Sequence, residues 1–383
     1  MIIKRDYYLQ QLISSKSNNL IKIVTGIRRS GKSFLLFNLF HNHLIETGIS
    51  EDHIIEIALD DRLNKNLRDP DVILQHIHER IVDDKLYYII LDEVQMIDEF
   101  TDVLNSLLHI RNADVYVTGS NSKFLSKDVV TEFRGRGDEI HLFPLSFAEL
   151  YNSIGGDKFE LWKSYYTYGG LPGILELDSE KKKAAYLRSL HETVYLKDII
   201  ERNNLKNSEE FMELMRVMAS CIGSPCNPSK LENTFKSVKS ETLDRKTISK
   251  YLSYMEDAFL IEKSMRYDIK GRKYIGTLSK YYFQDIGLRN ALLNFRQVEE
   301  NHIMENVIYN ELRLRGFCVD VGMVEARTAK ERKQLEVDFV ANMADRRYYI
   351  QSAFAMPDDD KREQECASLK KIDDSFKKII IMR

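Results

Sequence analysis

The first 145 residues alternate short, strongly apolar segments with longer mixed ones, and each apolar segment has the length of a strand. Continuous apolar runs rich in β-branched residues are typical of parallel strands that are buried on both faces. Five such segments occur, at residues 20–25, 53–59, 86–95, 114–122 and 139–143. Residues 34–44 carry the apolar side chains of a buried helix. The pattern therefore predicts an α/β fold with a doubly wound parallel sheet.

Beyond residue 145 the pattern becomes helical and later returns to strands. Residues 146–206 are predicted to form helices, interrupted where Gly169, Gly170 and Pro172 stop one helix and let another begin. Helical segments and a basic hairpin follow, and together they are typical of a winged helix. The last hundred residues contain a helix and strand-like segments. We expect four domains, at residues 1–145, 146–206, 207–285 and 286–383.

A glycine-rich loop joins the first predicted strand to the first predicted helix. Residues 26–33 read GIRRSGKS, which matches the phosphate-binding pattern G-x-x-x-x-G-K-S. The glycines let the backbone curl so that successive N–H groups face phosphate oxygens, and the helix start adds its positive dipole end. Lys32 is expected to reach the β- and γ-phosphates of ATP, and Ser33 to coordinate Mg²⁺. The residues expected to contact the nucleotide are Gly26, Ile27, Arg28, Arg29, Ser30, Gly31, Lys32, Ser33 and Phe34.

Acidic residues end the third predicted strand, and polar residues end the fourth. Asp92 is expected to hold Mg²⁺, because it lies at the carboxyl end of a parallel strand beside the loop. Glu93 is expected to take a proton from the attacking water or to orient it, which indicates a nucleoside triphosphatase that hydrolyses with a glutamate. Thr118, Ser120 or Asn121 is expected to sense the γ-phosphate, and the sequence does not distinguish among the three.

Two arginines precede the fifth predicted strand. Arg134 and Arg136 are expected at the rim of the domain, where an arginine can reach the γ-phosphate bound by a neighbouring copy. This interpretation implies a homo-oligomer. The alternative is a pair of solvated arginines on a loop.

Composition and charge narrow the class of protein. The 383 residues contain 56 Lys and Arg against 59 Asp and Glu, so a nucleic-acid surface has to be a local patch. No apolar run approaches the ~18 residues of a membrane span, and the N-terminus lacks the features of a signal peptide. The 4 cysteines do not have the spacing of a disulfide framework or a zinc site. We expect a soluble cytoplasmic protein with no membrane partner.

Several motifs resemble those of a known family. GIRRSGKS, LDEVQ and VTGSNS, then GRG followed by FPLSFAEL and YGGLPGI, look like the bacterial and archaeal AAA+-type ATPases with a C-terminal domain of unassigned function. The resemblance implies an ATPase core, a small helical region, a winged-helix domain and a region similar to PD-(D/E)xK nucleases. It also implies that the helical region lies over the nucleotide as a lid. The alternative is a connector that does not contact ATP.

The predicted winged helix carries a local excess of positive charge. Residues 234–285 hold 11 Lys and Arg against 7 Asp and Glu. Six of the basic residues lie in one helix or in the hairpin, where such domains enter a DNA groove. They are Arg245, Lys246, Lys250, Lys270, Arg272 and Lys273. DNA binding is one interpretation, and contact with a protein is the other.

The C-terminal region departs from the nuclease pattern. A nuclease site needs carboxylates for Mg²⁺ and usually a lysine that stabilises the attacking hydroxide. Asp338 and one of Glu305 and Glu311 would supply at most two acidic ligands. Gln351 stands where an acid is usual, and Ala353 stands where the lysine belongs. Without a cation nearby we expect a nuclease-like fold that does not cleave nucleic acid.

Two kinds of function follow from these features. The first is an Mg²⁺-dependent ATPase whose nucleotide state controls the binding of DNA by the winged helix or of a protein by the C-terminal domain. The second is a switch that holds ATP, hydrolyses it slowly and acts as a protein-interaction module. An ATP-dependent nuclease with a residual C-terminal site is a further alternative. Glu93 favours the first function.

Overall fold

The chain folds into two compact units, Met1–Gly155 with Asp257–Phe259, and Gly156–Glu256 with Leu260–Arg383. The computed structural model describes residues 3–120, 136–238, 243–296, 299–327 and 332–383. Within these ranges no helix has both the length and the apolar character needed to cross a membrane.

A five-stranded parallel sheet forms the centre of the first unit, in the order β2-β3-β4-β1-β5. Its strands are β1 (Ile21–Thr25), β2 (Ile54–Ala58), β3 (Tyr87–Asp92), β4 (Ala113–Gly119) and β5 (Gly137–His141). Every residue of β1 and β3 is buried, as expected for strands covered on both faces. The sheet confirms the predicted fold class.

Helices connect these strands and cover the sheet with apolar side chains. They are α1 (Asp6–Ser14), α2 (Lys32–Phe34), α3 (His41–Glu46), α4 (Pro70–Arg80), α5 (Phe100–Leu107) and α6 (Phe147–Ile154). A π-helical stretch, Leu35–Phe40, makes α2 and α3 one continuous helix after the loop. A short 3₁₀-helix, Val94–Met96, follows directly after β3 and Glu93.

The second unit contains a six-stranded mixed sheet in the order β11-β10-β9-β8-β6-β7. Its strands are β6 (Ile261–Asp268), β7 (Lys273–Phe283), β8 (Cys318–Arg327), β9 (Arg332–Met343), β10 (Arg346–Ala353) and β11 (Lys377–Met382). Strand β6 pairs antiparallel with β7 and parallel with β8. The hairpin assigned from sequence to a winged helix therefore shares a sheet with the C-terminal strands, and this sheet continues across residue 285.

The helices of the second unit are mostly short. They are α7 (Lys158–Tyr168), α8 (Glu180–Leu190), α9 (Lys197–Asn203), α10 (Ser208–Ser220), α11 (Pro228–Val238), α12 (Arg245–Asp257), α13 (Ile286–Leu292), α14 (Glu300–Leu314) and α15 (Asp359–Cys366).

The break predicted after the first of these helices is confirmed. Helix α7 ends at Gly169, whose φ of 76° is in the left-handed region, and a 3₁₀-helix starts at Pro172. A β-carbon on Gly169 would lie 2.4 Å from a carboxylate oxygen of Asp285, so only glycine fits there. Asp285 accepts hydrogen bonds from the backbone N–H groups of Gly170 and Leu288, which fastens the break to the start of α13.

Candidate active site

The glycine-rich loop between β1 and α2 forms a concave run of backbone. Gly26 has a φ of 140°, and a β-carbon there would lie 2.2 Å from the carbonyl oxygen of Leu142. Arg29 and Gly31 also have positive φ values, 64° and 99°. Backbone that alternates between right- and left-handed conformations turns successive N–H groups to one side, and such a cavity binds anions. The loop therefore has the shape that a phosphate group requires.

A buried hydroxyl in this loop supports the same conclusion. The side chain of Ser30 is fully buried, and its Oγ has no hydrogen-bond partner in the part of the chain that the structure describes. Buried polar groups are normally paired, because an unpaired one costs about 1–3 kcal/mol. A loop with unused hydrogen-bonding capacity beside a helix start fits a ligand rich in oxygen atoms.

Lys32 begins α2 and is almost completely buried. Its ammonium donates hydrogen bonds to the carbonyl oxygens of Gly26 at 3.0 Å and Ile27 at 3.2 Å. Burial lowers the pKa of Lys32, although the nearby charges of Glu93 and Asp92 oppose the shift. The lysine side chain is therefore folded back onto the loop, and both of these hydrogen-bond acceptors are neutral.

Ser33 and Asp92, the two residues predicted to hold Mg²⁺, are hydrogen-bonded to each other. The hydroxyl of Ser33 donates to Asp92 Oδ2 at 2.7 Å, and the hydroxyl of Thr118 donates to Asp92 Oδ1. Burial raises the pKa of Asp92, and these two hydrogen bonds oppose the shift. Mg²⁺ sites that also hold a nucleotide use one or two protein oxygens together with phosphates and waters. The hydroxyl of Ser33 and the carboxylate of Asp92 fit this donor set.

Glu93 is held in an uncommon backbone conformation. Its φ of 54° and ψ of 47° lie in the left-handed region, which is rare for residues other than glycine and is found at functional sites. Its N–H donates to Thr118 Oγ1 at 2.9 Å. The side-chain oxygen Oε2 accepts a hydrogen bond from Ser120 Oγ at 3.1 Å and another from the amide of Gln95. Two donors on one carboxylate oxygen leave the other oxygen, Oε1, as the better proton acceptor.

The structure separates the three candidates for the γ-phosphate sensor. Thr118 is fully buried and contacts Asp92 and the backbone of Glu93. Ser120 lies between Glu93 and the loop, because its Oγ also accepts from Arg28 Nε at 3.3 Å. Asn121 lies outside the described residues. Of the two candidates that the structure describes, Ser120 is the one whose hydroxyl contacts both the loop residue Arg28 and Glu93.

Three further predicted residues that the structure describes are exposed. Two of them, Arg29 in the loop and Phe34 in α2, are close to Ser33 in the chain. Arg136 is exposed directly before β5, and its carbonyl accepts the N–H of Ile21. Arg134 lies outside the described residues, so its role as an arginine that reaches a neighbouring copy stays a prediction.

Sequence reasoning missed two residues of this site. Gln95 is the final letter of LDEVQ, and its position two residues after Glu93 was the available signal. Arg5 had no such signal, because the segment MIIKR before α1 belongs to no recognisable motif. Its guanidinium donates to the carbonyl oxygen of Ser30 within the loop.

A second charged cluster lies in the second unit, and it corrects one expectation. The ammonium of Lys280 on β7 forms ion pairs with Glu305 at 2.8 Å and Glu336 at 2.7 Å, and lies 4.0 Å from Asp338. The expectation that this region has no cation was wrong. The lysine comes from a different strand than the one bearing Ala353.

The structure also shows which partners the other predicted side chains of this region contact. Glu305 pairs with Lys280 in the cluster, whereas Glu311 pairs with Arg315, the residue that follows the end of α14. Gln351 Oε1 lies 3.4 Å from the backbone N–H of Asp338. Burial and the charge of Glu305 raise the pKa of Asp338 to about 7. Among the described residues no group of three His, Cys, Asp or Glu side chains is arranged to hold a metal ion.

The basic residues predicted to contact DNA are all exposed. Three lie on α12 and three at the β6–β7 turn, and both groups lie in the second unit. They are Arg245, Lys246, Lys250, Lys270, Arg272 and Lys273.

Comparisons with known proteins agree with the geometry of the first unit. Residues 18–151 match the family model of an AAA domain, and residues 159–299 match that of a domain of unknown function, DUF8612. An uncharacterized protein of Haemophilus influenzae is 34% identical over 387 residues, covering 99% of this chain and 93% of the relative. An uncharacterized protein of Methanocaldococcus jannaschii is 29% identical, covering 97% of this chain and 82% of the relative.

The likeness to solved structures is remote. The Aeropyrum pernix ORC1 protein in complex with DNA is 11% identical with a TM-score of 0.31, covering 76% of this chain and 92% of that protein. Cdc6p of Pyrobaculum aerophilum is 12% identical with a TM-score of 0.33, covering 80% of this chain and 96% of that protein. Scores this low support no conclusion about ligands or partners.

Proposed function

The chain belongs to the same family as its Haemophilus influenzae relative, its residues 18–151 match an AAA domain, and we propose that it is an Mg²⁺-dependent ATPase. The proposed reaction is the attack of water on the γ-phosphate of ATP, which gives ADP and inorganic phosphate. The observation that carries the proposal is the 2.7 Å hydrogen bond from Ser33 to Asp92, which joins the end of the phosphate loop to the end of β3.

Each residue of the cluster has a defined part in this reaction. The backbone N–H groups of the loop and the ammonium of Lys32 bind the phosphates, because both carry positive charge. Ser33 and Asp92 would hold Mg²⁺, which when bound would supply positive charge against the phosphates. Glu93 accepts the proton of the attacking water. Ser120 and Gln95 orient the carboxylate of Glu93 by donating hydrogen bonds to it. General-base catalysis of this kind contributes about 10²–10⁴-fold to the rate.

The test uses two variants, of which one is expected to lose ATP binding and the other to lose only ATP hydrolysis. Lys32→Ala should abolish tight binding of Mg²⁺-ATP, whereas Glu93→Gln should bind ATP like the wild type and lose hydrolysis by about 10²-fold or more. Binding is measured by calorimetry and turnover by phosphate release. Lys85→Ala is the matched control, because this exposed lysine lies before β3, at the opposite end of the strand from Asp92. Equal ATP affinity in the wild type and Lys32→Ala would refute the proposal.

We also propose that the nucleotide state controls binding of DNA or of a protein by the second unit. The alternative is a slow ATP-binding switch that acts as a protein-interaction module. Measured turnover with and without DNA separates the two, because only the first predicts stimulation. A site shared between copies in a homo-oligomer, completed by Arg134 or Arg136, predicts that turnover per subunit rises with protein concentration.

The six exposed basic residues are the observation that favours DNA. If they contact phosphates, log affinity for duplex DNA falls linearly with log salt, and the Lys246→Glu, Lys250→Glu double variant lowers that slope by about 2. A matched double variant, Lys181→Glu with Lys182→Glu, changes exposed charges on α8 instead and should leave the slope nearly unchanged. Absence of binding at low salt, with or without ATP, would favour a protein partner.

A further inference from the structure

Arg5 lies immediately before α1, and its side chain is buried. Its guanidinium donates to three separate elements. Nη1 contacts the carbonyl oxygen of Ser30 at 3.2 Å, Nη2 contacts that of Phe143 at 2.8 Å, and Nε contacts Glu149 at 2.8 Å. A buried charge is stable only when it is paired and hydrogen-bonded. Arg5 therefore has one fixed position rather than a choice of several.

The carboxylate that pairs with Arg5 is itself fixed. Glu149 Oε2 accepts hydrogen bonds from the N–H and hydroxyl of Ser146, forming the capping box at the start of α6. The ring of Tyr8 lies against the guanidinium, 4.6 Å from its centre. These contacts orient the planar guanidinium, so the direction in which Nη1 points at the loop is set by the fold.

The contact with Ser30 fixes a peptide plane of the phosphate loop. A trans peptide is planar, so its C=O and N–H point in opposite directions. Holding the Ser30 carbonyl toward Arg5 therefore turns the N–H of Gly31 away from Arg5. Gly31 has a φ of 99°, and glycine alone would accept other orientations of this peptide at little cost. An external contact is needed to select one orientation.

We propose that Arg5 is a positioning residue that locks the Ser30–Gly31 peptide so that the Gly31 N–H faces the phosphates of the nucleotide. This inference rests on the proposed function of the loop as an ATP site. It predicts that Arg5 acts on phosphate binding and leaves the hydrolytic residues Asp92 and Glu93 in place. Its loss should raise the KM for ATP while kcat at saturating ATP stays within a few-fold of the wild type.

The experiment compares Arg5→Ala and Arg5→Lys with Tyr8→Phe. Tyr8→Phe keeps the ring against Arg5 and removes the hydroxyl, which accepts the Phe143 N–H at 3.1 Å and also interacts with the Arg5 side chain, so it perturbs the surroundings of Arg5 while leaving the contact between Arg5 and Ser30 in place. The dissociation constants for Mg²⁺-ATP and for Mg²⁺-pyrophosphate are measured by calorimetry, and folding is followed by urea unfolding. Pyrophosphate is used because it carries the phosphates without base or ribose.

Arg5→Ala should weaken binding of both ligands by about 10-fold, which corresponds to one lost positioning contact. Arg5→Lys folds with its charge beside Glu149 and should show the same direction of change, since one ammonium cannot reproduce three directed contacts. Tyr8→Phe should lower stability and leave both dissociation constants unchanged.

Two results would overturn the inference alone. The first is wild-type affinity for pyrophosphate in folded Arg5→Lys. The second is an equal loss of affinity in Tyr8→Phe, which would indicate general loosening of the region. A wild-type protein that binds neither ATP nor pyrophosphate would instead refute the proposed function and this inference with it.

Discussion

Lys32 and Lys280 are both buried lysines with carboxylates nearby, yet their ammonium groups are paired in opposite ways. Lys32 donates to two backbone carbonyls of its own loop, whereas Lys280 forms ion pairs with Glu305 and Glu336. Burial lowers the pKa of Lys32. Burial alone would also lower the pKa of Lys280, but its carboxylate neighbours outweigh burial and raise it.

The difference shows which lysine is available to a ligand. Neutral carbonyl oxygens do not cancel the charge of Lys32, so the ammonium attracts an incoming phosphate, although the nearby charges of Glu93 and Asp92 reduce this attraction. The charge of Lys280 is already neutralised by carboxylates that a metal ion would need as ligands. We therefore expect the first cluster to bind an anion and the second to stabilise the fold, without Mg²⁺- or Mn²⁺-dependent cleavage of DNA or RNA.

The largest expected effect comes from exchanging each lysine for an uncharged side chain of similar length. Lys280→Met leaves the buried Glu305 and the partly exposed Glu336 without their cation, and breaking a buried pair costs about 3–5 kcal/mol of the free energy of unfolding. Lys32→Met removes a buried charge whose two hydrogen-bond acceptors are neutral carbonyl oxygens, so it should cost much less stability than Lys280→Met while ATP binding is lost. Urea unfolding measures the first effect and calorimetry the second.

An exposed ion pair provides the control for this comparison. Lys236→Met breaks the pair with Glu232 on α11, where solvent screens the charges, and should change stability by at most about 0.5 kcal/mol. If Lys280→Met were as stable as the wild type, the ammonium would not be the group that holds the second cluster together. The comparison between the two lysines would then fail.

A smaller effect is expected from Gln95, which belongs to the first cluster only. Gln95→Ala removes one of the two donors to Glu93 Oε2 and should lower kcat by about 10-fold, equivalent to ~1.4 kcal/mol, with unchanged affinity for ATP. Gln75→Ala is the matched control, since it removes a glutamine–glutamate hydrogen bond on the exposed face of α4. A drop in ATP affinity equal to the drop in kcat would mean that Gln95 acts on binding.

The first cluster was largely predictable, because most of its residues lie in short motifs that can be read from neighbouring positions in the chain. A strand, a glycine-rich loop and a helix are adjacent in the chain, so the loop residues and Lys32 follow from one motif. The carboxyl ends of parallel strands share one edge of a sheet, which places Asp92 and Thr118 near the loop. Arg5 was not predictable, because its contact with Ser30 depends on how α1 packs.

The second cluster was predictable in part of its acids and not in its cation. The sequence named Asp338, left Glu305 and Glu311 as alternatives and missed Glu336. Lys280 lies on β7, which the pattern assigned to another domain. A hairpin wing and a sheet strand have the same two-residue alternation, so the sequence pattern cannot tell which partner a strand pairs with. Only the pairing of β6 with β8 brings β7 into the C-terminal sheet.

The last expected effect concerns the proton held by the second cluster. Asp338 has a pKa of about 7 in the folded protein against an ordinary value of 3.8, because burial and Glu305 disfavour its charge. Between these two pH values the folded state binds more protons than the unfolded state. The free energy of unfolding should therefore fall as the pH rises through this window, by at most about 1.4 kcal/mol per pH unit from this group.

Asp338→Asn tests this dependence directly, because an amide cannot titrate. Urea unfolding between pH 4 and pH 8 should show a shallower fall of stability for the variant than for the wild type. Glu311→Gln is the control, since this carboxylate pairs with Arg315 away from the cluster and should leave the shape of the curve unchanged. If Asp338→Asn and the wild type gave parallel curves, Asp338 would be ionised across this range, and Lys280 would then balance three negative charges rather than two.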